Sequence, residues 1–77
     1  MNSKITDVII HTKDHLSDQQ FTEVSDQVYK NEGIVSLSRN VHTPRFLMVV
    51  YNASSLRANS ILRTVKGLGY DASLVGI

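Results

Sequence analysis

Residues 46–51, Phe-Leu-Met-Val-Val-Tyr, are apolar at every position. Successive side chains of a strand point to opposite faces, so Leu47, Val49 and Tyr51 share one side, and Phe46, Met48 and Val50 the other. A strand with two apolar faces is central in its sheet or covered on each side. In a chain of 77 residues one core must serve every element. There is no cysteine, so no disulfide can replace part of that core and no thiolate can act as nucleophile or ligand.

The other elements arrange themselves around this strand. Residues 4–10 alternate as a first strand, with Val8 and Ile10 inward and Ile5 and Ile9 on the opposite face. A polar loop, residues 11–17, follows. Backbone N–H groups at a helix start favour anions, which makes such a loop a natural ligand site. Ser17 and Gln20 have capping-box spacing, and Leu16 and Phe21 have that of a hydrophobic staple. They predict a helix over residues 18–31 that buries Phe21, Val24 and Val28 and stops near Gly33. Residues 34–41 read as a second strand in which Arg39 shares the parity of Leu37 and Val41; a bulge, an edge position or a snorkelling side chain accounts for it equally well. Pro44 cannot donate to a ladder, which puts a turn at residues 42–45. After a turn at 52–55 with a serine N-cap, a second helix over about 56–68 carries Leu56, Ile61, Leu62, Val65 and Leu68. Gly69 ends it, and residues 72–77 form a last strand. The order is β-α-β-β-α-β, the split-βαβ plan: an α+β, ferredoxin-like fold of one domain over residues 1–77, a four-stranded antiparallel sheet with two helices on one face.

A formal net charge of +1 gives no electrostatic footprint for nucleic acid. Acidic residues gather in or beside the first helix and basic ones on the second, a pattern that suits weak cross-pairs. No apolar run approaches the roughly 20 residues that span a bilayer, and residues 1–4 open no apolar leader. With the lack of cysteine, these features predict a cytoplasmic protein with no membrane or nucleic-acid partner.

Gly33-Ile34, Val49-Val50-Tyr51-Asn52 and Leu68-Gly69-Tyr70-Asp71-Ala72, set in that element order, resemble the heavy-metal-associated (HMA) domains over residues 4–77. That family comprises copper chaperones, mercury-binding proteins and the amino-terminal modules of metal-transporting ATPases. The resemblance implies a metal loop between the first strand and first helix, with Met-x-Cys-x-x-Cys holding a soft ion. Here Leu16 takes the place of the methionine, the cysteine positions fall near Ser17 and Gln20 in a slightly longer loop, and Tyr70 matches an aromatic near the loop. Hydroxyl and amide do not replace thiolates for a soft metal. The fold therefore carries over and the thiolate chemistry does not.

Two other groups of residues remain as candidates. His11 and His15, with Asp14 and His42, form an N/O donor set suited to Zn(II), Ni(II), Co(II) or Cu(II). Ile5, Ile9, Phe46, Met48 and Val50 fall on the sheet face that the helices leave open, as an apolar contact surface for another protein or a second copy. No nucleophile–base pair, G-x-G-x-x-G, Walker loop or H-E-x-x-H is present, so no enzyme is expected. An RNP-like aromatic run is absent too. The main expectation is a non-catalytic interaction module without a cofactor. The alternatives are a carrier of a borderline metal ion and, at the level of fold alone, an ACT-like small-ligand regulatory domain.

Overall fold

The computed structural model describes residues 4–75. The elements are β1 (Ile5–Thr12), α1 (Asp18–Tyr29), β2 (Ile34–Asn40), β3 (Thr43–Asn52), α2 (Ala58–Gly67) and β4 (Ala72–Val75). They form one antiparallel sheet in the order β2-β3-β1-β4. The doubly apolar strand β3 is internal, as its composition requires. Residues 76–77 of the expected last strand lie outside the described residues.

The core lies between one sheet face and the two helices. Val8 and Ile10 of β1, Leu47, Val49 and Tyr51 of β3, Val24 and Val28 of α1, and Ile61 and Val65 of α2 are buried there together. Each helix spaces its two buried residues four apart, one turn, so both present a narrow apolar stripe to the sheet. Phe21, Leu62 and Leu68 extend these stripes as half-buried flanks. Just past the end of α1, Asn31 Nδ2 donates to Thr64 Oγ1 of α2 (3.1 Å). Among the described residues the salt bridge is Arg39–Asp18, and no ion pair joins the two helices.

Of the boundaries that differ from the sequence expectation, three shape the loops. The β2–β3 turn falls at Val41–His42, because the Asn40 side chain accepts from the His42 N–H (2.8 Å) and closes a tight reversal there. Pro44 and Arg45 consequently belong to β3. Pro44 lies beyond the last β1–β3 pair, His11–Phe46, and beside a register shift between Arg39 and Asn40, where the ladder is already interrupted. Helix α2 starts at Ala58 with Arg57 as an N-cap that makes no side-chain bond. The serines belong to the preceding turn, which Asn52 organises: its side chain accepts from the Ser54 N–H, and its carbonyl from the N–H groups of Ser55 and Leu56. The third difference is β1, which continues to Thr12 and shortens the loop after it to residues 13–17.

Edge strand β2 is secured from outside the sheet. The Leu37 N–H donates to the Tyr29 hydroxyl at the end of α1 (2.9 Å).

Candidate functional site

The loop between β1 and α1 is held from three directions. Thr12 is buried at the end of β1, and its hydroxyl donates to the Asp14 carbonyl (2.9 Å). The Lys13 N–H donates to the Asp71 carbonyl (2.9 Å), tying the loop to the segment before β4. From the other side, Arg39 Nη1 donates to the Leu16 carbonyl (2.7 Å) and Nη2 to Asp18 Oδ1 (2.9 Å). The same guanidinium lies 4.5 Å from the centre of the half-buried Phe21 ring. Arg39 is thus on the helix side of an edge strand, where its stem covers apolar surface and its head reaches the loop; this snorkelling geometry accounts for its apolar parity. Leu16 beneath it is 1% exposed, a buried anchor as expected.

The start of α1 is closed on itself. The Gln20 N–H donates to Ser17 Oγ (3.1 Å), and the Ser17 N–H donates to Gln20 Oε1 (2.8 Å). The capping box read from the sequence is complete. The two positions that the resemblance assigns to thiolates are therefore engaged in closing the helix. The Ser17 and Gln20 N–H groups are thus engaged within the cap, and Asp18 adds negative charge to the first turn. Tyr70 is half-buried against the core, and its hydroxyl is pushed above its usual pKa by burial, with the Glu23 carboxylate adding to the effect.

The histidines do not converge. His11 was expected in the loop, but the extra length of β1 places it in the sheet, with its ring on Phe46 at 5.1 Å between centroids. His15 and Asp14 are exposed in the loop, and His42 is exposed in the β2–β3 turn. Among the described residues, no three His, Asp or Glu side chains gather as a metal-ligand set.

The open sheet face does gather its expected residues. Ile9 pairs with Met48 and Asp7 with Val50, while Ile5 lies at the edge of the patch opposite Asn52. Phe46 is 37% and Met48 40% exposed although both sit on an internal strand; Ile5 is 55% exposed. Val75 of β4, beside Ile9, joins this surface and was missed because the short last strand gave no register from sequence. A shallow groove of about 410 Å³ runs over Ile9, Phe46 and Met48 toward the end of β2. No helix among the described residues is long and apolar enough to cross a membrane.

No model of a known protein family matches this chain, and no curated protein matches it. Solved structures do match in fold. Oxidized MerP from Ralstonia metallidurans CH34 superposes with a TM-score of 0.82 at 15% identity, covering 95% of this chain and 100% of that one. The N-terminal domain of a potential copper-translocating P-type ATPase from Bacillus subtilis, in its Cu(I)-loaded state, gives 0.82 at 18% identity, over 95% and 90% of the two chains. The CsoZ metallochaperone gives 0.76 at 18% identity, over 91% and 99%. At such identities the likeness defines the fold: the ferredoxin-like βαββαβ arrangement of metallochaperones and metal-ATPase domains.

Proposed function

We propose that this chain is an HMA-like, non-catalytic interaction module that has exchanged thiolate metal binding for docking through its open sheet face. The observation that carries the reading is the reciprocal Ser17–Gln20 bonding at the start of α1. The loop that would hold a soft ion in an HMA domain is here a finished helix cap, locked from behind by Arg39 and free of sulfur. The open sheet face meanwhile keeps Ile5, Phe46, Met48 and Val75 exposed around the half-buried Ile9. The fold's solved neighbours include a metallochaperone and a metal-ATPase domain, which supports a role alongside metal trafficking. In this reading the protein resides in the cytoplasm.

Two measurements test it. Titration of Cu(I), Zn(II), Ni(II), Co(II) and Cu(II) in thiol-free buffer is expected to give no binding of micromolar strength or tighter. Such binding, lost in a His11→Ala/His15→Ala double variant, would establish the metal carrier instead. A photo-crosslinking residue at position 48 is expected to capture a polypeptide in cells, whereas one at Lys66 on α2 captures none. Capture at 66 alone would move the docking surface to the helices and refute the reading.

A further inference from the structure

We infer that the open sheet face pairs with a second copy of this chain, about a twofold axis that crosses the strands at the Ile9–Met48 row. This rests on the interaction-module reading above and names its occupant.

The inference follows from the order of side chains on the face. Strand alternation and the ladder registers arrange them in rows. The middle row holds Ser38, Met48, Ile9 and Val75. One row toward the start of β1, Asp7 sits beside Val50; one row the other way, His11 sits beside Phe46. Among the described residues, Asp7 and His11 are the two ionisable side chains that strand alternation puts on this face. They lie two residues either side of Ile9, about 7 Å each way along β1.

A twofold axis lying between two copies, and running across their strands at the middle row, reverses each strand and sets it over its own counterpart. Asp7 then meets the partner's His11, and His11 meets the partner's Asp7. Val50 meets the partner's Phe46, while Ile9 and Met48 meet themselves. An imidazole donates an N–H to a carboxylate whether or not it is protonated, and adds a charge when it is. The Phe46 contact holds the His11 ring on this face. Each polar group therefore finds an opposite and each apolar group an apolar one, the self-complementarity that an isologous interface demands. Had Asp7 and His11 been alike in charge, or unequally spaced from Ile9, the rotation would have opposed mismatched groups.

The size of the face sets the strength. Four strands about 4.8 Å apart and rows about 7 Å apart give roughly 19 by 20 Å. Two such faces cover about 760 Å², short of the ~1,000 Å² at which stable specific association begins. The pairing is accordingly weak, with a Kd on the order of 10–100 µM.

Sedimentation equilibrium from about 5 µM to about 1 mM tests it, bracketing that constant. The expected result is a monomer–dimer equilibrium that Met48→Asp abolishes. His11→Asp sets two carboxylates against each other and weakens pairing about tenfold or more, and the exchange Asp7→Lys/His11→Asp restores it to within about threefold. Circular dichroism checks that each variant is folded. Mixed isotopically filtered and unfiltered wild-type protein supplies a readout that needs no variant, through contacts between Met48 methyl groups of different copies. A monomer over the whole range overturns the inference. So does a dimer indifferent to Met48→Asp, or a charge exchange that fails to restore pairing. A monomer whose photo-crosslinker at position 48 captures a different polypeptide overturns self-pairing and leaves the interaction module standing; a monomer with no capture sinks both.

Discussion

Replacing Arg39 by methionine isolates what the guanidinium does, because the thioether keeps much of the stem's packing on Phe21. Three contacts disappear. The charge-assisted bond to the Leu16 carbonyl, made by a side chain only 13% exposed, is in the class that contributes about 1.5–3 kcal/mol. The guanidinium over the Phe21 ring adds about 0.5–1 kcal/mol. The ion pair to Asp18 adds little, because that carboxylate is fully solvated. Water recovers part of the loss at the Leu16 carbonyl, and the contacts are not additive. The expected destabilisation is about 2 kcal/mol, read from urea unfolding at an unchanged m-value, with a Tm lower by roughly 8–16 °C for a domain of this size. Asp18→Asn is the control and is expected to change stability by less than about 0.5 kcal/mol. A loss below about 0.5 kcal/mol for Arg39→Met refutes the stabilising role of the Arg39 contact with the Leu16 carbonyl. So does an Asp18→Asn variant as damaging as Arg39→Met, since the carbonyl contact is then not the one that matters.

Ser17→Ala removes the cap from α1 and is expected to cost about 1 kcal/mol, with faster amide exchange at Gln20, whose N–H loses its acceptor. Gly33→Ala and Gly67→Ala should change stability in opposite directions. Gly33 has φ +100° and its added Cβ meets Ser55 Cβ at 3.1 Å, so more than about 1 kcal/mol is lost; Gly67 has open space and gains about 0.5 kcal/mol in helix propensity. Both are read by thermal melting. Tyr70 gives a pH dependence: the unfolded chain ionises near pH 10 and the folded one higher, so its contribution is intact below about pH 10 and is lost as pH rises through the folded value. Tyr70→Phe should flatten that alkaline decline in unfolding midpoints.

Local signals with one meaning were readable in the chain. The Ser17–Gln20 spacing announced a capping box and the start of α1, because both bonds close within one turn. The run Phe46–Tyr51 announces an internal strand, because it is apolar on both faces. What was misread depended on competing partners. Pro44 looked like a break, yet the break was made by the Asn40 side chain, and proline fitted where pairing had lapsed. The serines before α2 looked like caps, but Asn52 held that turn. His11 looked like a loop ligand because where β1 ends is decided by pairing with β3 and β4, which spacing along one strand does not encode. Arg39 is ambiguous in the sequence for the same reason: its acceptor, the Leu16 carbonyl, is 23 residues away.

The Tyr29 hydroxyl on β2 bears on how far association can run. A bare flank is an invitation to add strand after strand, and this one is stoppered by a phenol from the chain's own helix. Recruiting a fifth strand there means first pulling the stopper from Leu37. Growth by lateral zippering, the route to fibres, meets a barrier on that side, so a chain with a greasy open sheet can keep its company small.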